Sequence, residues 1–224
     1  MTDRLPRRDL LRLLGLAPLG ALAACGDDSA APLDLGPLPR DASTLRDSFV
    51  RDGAEACLPT SSDALGPFFE AGAPNRSSVA AADEPGERLL FAGVLADEGC
   101  EPLAGMRIDL WQADELGNYY DAGADFRLRG HLVTGADGSF AFDTIVPGNY
   151  ETASGPRPAH LHLRVSDPDG RSRLVTQIYF TGDPNLGAAD GCQPPTCFSN
   201  DPERILDLVP MGGDLLMADA RLVV

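Results

Sequence analysis

An all-β fold is predicted for the chain: an antiparallel β-sandwich with short helices and long loops. Punctuation by 24 glycines and 19 prolines in 224 residues is the first sign. The second is that the apolar runs are short and bounded by turn residues, and the third is that few stretches repeat with a helical period. A hydrophobic content of 43% suits one globular domain with ancillary segments. The net charge of −16, from 34 acidic against 18 basic residues, excludes nucleic acid and anionic lipid as electrostatic partners.

Residues 1–24 read as an export signal and stand apart from the fold. Arg7 and Arg8 precede an apolar stretch that is too short to span a bilayer and ends in small residues. The paired arginines resemble a twin-arginine signal. Leu22-Ala23-Ala24-Cys25 resembles a bacterial lipobox, with Cys25 as the lipidated mature N-terminus. The expectation is therefore an exported cell-envelope protein that meets the membrane through a lipid anchor only. Residues 25–57 would be the lipidated end and a flexible linker, and residues 58–224 the domain. Cys57, Cys100, Cys192 and Cys197 form an even set for an oxidising compartment, where disulfides are the default. Cys192 and Cys197 bracket a short loop and could close locally, leaving Cys57 with Cys100, although three connectivities stay open.

Strand candidates follow in order. Leu89 to Leu95 is a short apolar run, and Met106 to Trp111 alternates Met106, Ile108 and Leu110 against Arg107, Asp109 and Trp111. Ser139 to Phe142 follows an Asp137-Gly138 turn. His160 to Val165, Arg173 to Phe180 and Arg221 to Val224 have strand length and are separated by turns such as Asp167-Pro168-Asp169-Gly170. Asn200-Asp201-Pro202-Glu203 has the cap, early proline and acid of a helix start.

The sharpest chemical feature is His160-Leu161-His162. Two histidines one residue apart on a strand project from the same face, so both imidazoles can reach one metal. Only four tyrosines occur, and Tyr119 and Tyr150 each follow a glycine by two positions, in Gly117-Asn118-Tyr119 and Gly148-Asn149-Tyr150. Glycine turns at strand ends can present a phenol from a loop toward the histidines. Two phenolates with two imidazoles suit a hard trivalent iron, Fe(III), and metal coordination lowers a phenol pKa from about 10 into the neutral range.

These residues lie within a longer pattern: Gly66-Pro67-Phe68-Phe69, Cys100-Glu101-Pro102-Leu103-Ala104-Gly105, Ile108-Asp109-Leu110-Trp111-Gln112-Ala113-Asp114, Thr144-Ile145-Val146-Pro147-Gly148-Asn149-Tyr150, Arg157-Pro158-Ala159-His160-Leu161-His162 and Thr176-Gln177-Ile178-Tyr179-Phe180. In that order it resembles the intradiol ring-cleavage dioxygenases, typified by protocatechuate 3,4-dioxygenase and catechol 1,2-dioxygenase, and specifically an exported lipoprotein branch. The resemblance implies Tyr119 and His160 as equatorial ligands of a non-haem ferric ion, with Tyr150 and His162 axial. It implies that Tyr150 leaves as a catechol-type diol binds, that Arg157 stabilises negative charge on the ring, and that Gln177 lines the pocket. The reaction implied is cleavage of an aromatic diol by O2 to a muconate-type dicarboxylic acid. Glu151 to Pro156 is shorter than in the well-known cytoplasmic enzymes, which implies a larger or less tightly held substrate. Tyr120 would project elsewhere, Tyr179 would pack, and His131 would be structural or exposed. Two other readings stay open: a non-catalytic cell-envelope binding lipoprotein, and a periplasmic zinc or copper protein using only His160 and His162. A homo-oligomer is compatible with the sequence.

Overall fold

In the computed structural model, which describes residues 57–121, 123 and 125–224, the alternating apolar runs become strands of two stacked sheets. The expected export signal, Cys25 and the expected linker as far as residue 56 lie outside the described residues. One sheet holds β1 (Arg88–Ala96), β4 (Ser139–Ile145), β10 (Val209–Gly212) and β11 (Leu215–Val223), in the order β10-β11-β1-β4. The other holds β2 (Arg107–Gln112), β3 (Arg129–Val133), β7 (His160–Ser166), β8 (Ser172–Phe180) and β9 (Ile205–Leu206), in the order β3-β2-β7-β8-β9. A separate hairpin pairs β5 (Tyr150–Thr152) with β6 (Gly155–Arg157).

One core is shared by the facing sheets. Leu89, Phe91, Phe142, Ala218 and Leu222 from the first meet Ile108, Leu110, Leu161, Leu163 and Ile178 from the second. Phe91 and Phe142 lie directly opposite each other on β1 and β4, a cross-strand aromatic pair at the centre of that face. The period of two puts Leu161 and Leu163 into this core and turns His160 and His162 to the other side of β7. The His-Leu-His alternation thus spends one face of the strand on packing and leaves the other for chemistry.

The sandwich expectation holds with two differences. The sheets are mixed, because β11 runs parallel to β1 and β9 runs parallel to β8, while the remaining pairs are antiparallel. Local periodicity sets which face a residue takes but not the direction of a partner recruited from far along the chain. The helix start at Asn200-Glu203 yields only a single 3-10 turn, Pro202–Arg204, with the Asp201 side chain accepting from the Glu203 amide at 3.1 Å. The turn stops there because Ile205 and Leu206 pair with Tyr179 and Phe180. Two disulfides are present, Cys57–Cys100 and Cys192–Cys197.

Candidate functional site

The register of the second sheet assembles the floor of the site. Directly opposite residues share a face, and His160 faces Tyr179, while His162 faces Gln177 on one side and Trp111 on the other. Trp111 stacks flat on His162, centroids 4.9 Å apart and planes within 5°. Both imidazoles are buried. Their Nε2 atoms stand 3.1 Å apart.

Two clasped loops bring the phenols over this floor. The Asp114 carboxylate accepts from the amides of Leu116 at 2.9 Å and Asn118 at 2.8 Å, shaping the turn before Tyr119. It also accepts from the Tyr120 hydroxyl at 2.6 Å, which turns that ring away from the histidines. The Asp114 carbonyl accepts from the Gly148 amide at 2.7 Å, tying the Tyr150 loop to the Tyr119 loop. Contact there is so close that a Cβ on Gly117 would fall 2.2 Å from the Asn149 carbonyl oxygen. Glycine before each tyrosine is what lets two backbones cross at that distance.

Tyr119 Oη reaches 3.4 Å from His160 Nε2, and the Tyr119 and Tyr150 rings meet edge to face at 5.5 Å. Phe68 lies flat against Tyr119 at 4.0 Å. Tyr150 and Arg157 are opposite each other on the β5–β6 hairpin, with Arg157 Nη1 3.5 Å from Tyr150 Oη. Arg157 is buried, and its Nη2 donates to Gln177 Oε1 at 2.8 Å. The polar residues expected near the pocket therefore come together. Tyr179 does more than pack: its single hydroxyl proton is shared between Asp63 Oδ2 at 2.9 Å and Gln177 Oε1 at 3.0 Å. His131 stands apart, with Nδ1 on the Ala73 carbonyl at 2.7 Å.

The electrostatics fit a cation. Burial first, then the nearby Arg157 charge, holds His160 down to about 3, and burial with the adjacent His160 holds His162 well below the usual imidazole range. Both rings are therefore neutral near pH 7. His160 Nδ1 donates to the Pro158 carbonyl at 2.6 Å, which leaves Nε2 as a bare lone pair aimed at the other imidazole. Burial pushes Tyr119 up, reinforced by Tyr150 and opposed by Arg157 and Arg129; burial also pushes Tyr150 up, opposed by Arg157. A multivalent metal reverses this by binding the phenolate form. The 3.1 Å between the two Nε2 atoms is short enough for both imidazoles to reach one metal ion. Among the described residues no three His, Cys, Asp or Glu side chains gather for a metal, so the phenol oxygens are needed to complete a donor set.

Other contributors carried no local sequence signal. Arg129 is buried and donates to the carbonyls of Phe68 and Tyr120, both at 2.6 Å, holding the aromatic wall around Tyr119. Arg204 and Asp63 form a fully buried ion pair beneath Gln177 and Tyr179. They are 141 residues apart in sequence, a separation that no motif spans.

Comparison with known proteins bears on the family and the fold. The family model described as "Dioxygenase" matches residues 65–193. The chain is similar to chlorocatechol 1,2-dioxygenase of Rhodococcus opacus, 40% identical over 157 residues, covering 59% of this chain and 60% of that protein. Among solved structures, it resembles the dioxygenase domain of a dioxygenase carbohydrate-binding protein fusion from Streptomyces sp. SirexAA-E. That match has a TM-score of 0.62 and 34% identity, covering 74% of this chain and 97% of the other. It also resembles 3-chlorocatechol 1,2-dioxygenase from Rhodococcus opacus 1CP, with a TM-score of 0.64 and 30% identity, covering 73% of this chain and 71% of the other. The chain spans 51 to 60% of the length of the first three curated relatives it matches. A family match across more than half of the residues, on a sandwich of the same fold, shows that the chain belongs to the intradiol ring-cleavage dioxygenases.

Proposed function

We propose that the chain is a ferric, non-haem intradiol dioxygenase that opens a catechol-type ring with O2 to give a muconate-type dicarboxylic acid. The observation that carries the reading is the convergence of Tyr119, Tyr150, His160 and His162 beside a buried Arg157. Tyr119, His160, His162 and Tyr150 would hold the ion. Bound there, Fe(III) supplies Lewis acidity that makes phenolates of the tyrosines and of an incoming diol at neutral pH.

The chain's own groups do the rest. Tyr150 sits on a three-residue strand at the rim, whereas both histidines are buried in the floor, so Tyr150 is the donor best placed to swing out. Its phenolate oxygen takes a proton from the diol as it leaves. The Arg157 guanidinium, always charged, stands where negative charge develops on the ring and stabilises it. Gln177 holds that guanidinium in plane through its Oε1 and is itself anchored by donating to the Ala64 carbonyl at 2.8 Å.

The cavity supports a reading of the substrate class. Beside Tyr119 and Tyr150 lies an open cavity of about 600 Å³, whose walls include Phe68, Leu116, Asn118, Asn149, Glu151 and Asn185. That volume is in the range occupied by drug-sized ligands, larger than a single ring requires. Three amides and an acid favour a substituted catechol with neutral hydrogen-bonding groups over one bearing a carboxylate. The paired arginines Arg7 and Arg8 and the lipobox-like Leu22-Ala23-Ala24-Cys25 support reading such an enzyme as a cell-envelope protein anchored through Cys25.

Oxygen uptake with product identification tests the reading, using iron-loaded protein on catechol, protocatechuate, hydroxyquinol and a larger neutral substituted catechol. Consumption of one O2 per diol with a ring-opened dicarboxylate is expected, fastest for the larger neutral substrate. Full iron and normal colour without uptake on any member would refute it.

A further inference from the structure

Arg157 is gripped from a side that the metal centre does not reach. Its Nε lies 2.8 Å from Asp190 Oδ1, in an ion pair whose side chains are 7% and 0% exposed. Asp190 follows the 3-10 turn Gly187–Ala189 and leads into the loop closed by Cys192–Cys197. Its Oδ1 also accepts from the Cys192 amide at 2.8 Å. The Gln193 side chain donates to the Asp190 carbonyl, and to that of Gly187 at 3.0 Å. This loop is pressed onto β6, the strand that bears Arg157. The Gly191 amide donates to the Pro156 carbonyl at 2.6 Å, and a Cβ on Gly191 would fall 2.4 Å from the Gly155 carbonyl oxygen.

We propose that Asp190 is a positioning residue for Arg157, and that the disulfide-closed loop Asp190–Cys197 is the brace that fixes it. The inference rests on the catalytic role given to Arg157 above. An arginine on a short rim hairpin has solvent within reach, and a buried guanidinium without a counter-charge is expelled or forces rearrangement. Gln177 offers a dipole only and Tyr150 is the donor that swings out, so Asp190 provides the charge that stays to keep the guanidinium inside. Among the described residues, neither Arg157 Nε nor Asp190 Oδ2 has a hydrogen-bond partner, so the two side chains are held by charge at 2.8 Å, and Arg157 is the cation paired with this carboxylate. The carboxylate is thus committed to Arg157 and to its own loop. The family match ends at residue 193, so Cys197, which closes the brace, lies beyond it.

The test compares Asp190→Asn, Cys192→Ser/Cys197→Ser and Arg157→Lys in the iron-loaded protein, with catechol as probe, and adds the crystal structure of Asp190→Asn. Expected for Asp190→Asn and the cysteine pair are unchanged iron content and visible colour, KM within about threefold, and kcat lowered by about tenfold or more. Combining Asp190→Asn with Arg157→Lys should add less than about threefold to the loss from Arg157→Lys alone, because both act through one group. In the crystal the guanidinium should have left Gln177 and Tyr150. The proposal is overturned if the guanidinium stays in place, if kcat of Asp190→Asn stays within about twofold while Arg157→Lys lowers it, or if iron is lost along with activity, which marks general support of the site. Where Asp190→Asn does not fold, the cysteine pair carries the same comparison, its own crystal structure included. Should Arg157→Lys keep full kcat while the guanidinium has moved in Asp190→Asn, the catalytic reading of Arg157 falls and the positioning by Asp190 stands.

Discussion

Gly117→Ala would place a methyl carbon 2.2 Å from the Asn149 carbonyl oxygen and 2.9 Å from Tyr150 Cβ. A carbon and a carbonyl oxygen come no nearer than about 3.3 Å without strain, so the two loops must part by about 1 Å. Gly117 is two residues from Tyr119 and Asn149 adjoins Tyr150, so the parting acts on the phenol-to-phenol spacing. The left-handed φ of +83° at Gly117 adds a further cost of about 1–2 kcal/mol for a residue with a side chain. A misplacement of about 1 Å in a catalytic group can cost about a hundredfold in rate. Iron retention against a competing chelator, and kcat of the retained fraction, are the assays. Gly170→Ala is the control: it has nearly the same φ, +82°, with nothing within 4 Å of the added methyl, and should bind iron like the parent. If Gly117→Ala retains iron and turns over as Gly170→Ala does, the clasp between the tyrosine loops does not set the site.

Three further outcomes are expected. Asp63→Asn leaves the fully buried Arg204 with only the partly exposed Asp201, 3.3 Å from its Nε, as counter-charge, which should cost about 3 kcal/mol, the low end for a broken buried pair, and lower Tm by roughly 6–12 °C; a loss below about 1 kcal/mol by urea unfolding would contradict it. Burial pulls the Asp114 carboxyl upward, but hydrogen bonds from Tyr120, Asn118 and Leu116 outweigh it and hold the group below its ordinary value. Its stabilisation is therefore complete above the unfolded pKa of about 3.9 and is lost as pH falls through the lower folded value. Asp114→Asn should lower Tm at pH 7 and flatten the acid limb of the Tm profile, and an unaltered profile would count against the role given to Asp114. Cys25→Ala should abolish palmitate incorporation in cells, and labelling equal to the parent would remove the lipid anchor.

Much of the site was legible because strands impose a period of two. His160, Leu161 and His162 declare their faces in three letters, and the register then delivers Gln177, Tyr179 and Trp111 to the same face. The glycines before Tyr119 and Tyr150 marked turns, though not that the two turns clasp each other. What escaped has physical reasons. β5 and β6 are three residues each with partly exposed or polar positions, so no alternation identifies them. β3 presents Arg129 and Gly130 buried beside a partly exposed His131, against any hydrophobic pattern. The Asp63–Arg204 and Asp190–Arg157 pairs join distant segments, and pairing of charges leaves no trace in local composition. The parallel docking of β11 on β1 is likewise a matter of long-range topology, and of β11 only the end from Arg221 onward was read as a strand beforehand.

The most direct measurement is the visible absorption spectrum of the protein loaded with Fe(III). With Tyr119 and Tyr150 as ligands, a broad tyrosinate-to-iron charge-transfer band appears that the iron-free protein lacks, and Tyr119→Phe and Tyr150→Phe each weaken and shift it. Stoichiometric iron with no visible band, or a band that both phenylalanine variants leave unchanged, would contradict the ferric site built on Tyr119, Tyr150, His160 and His162.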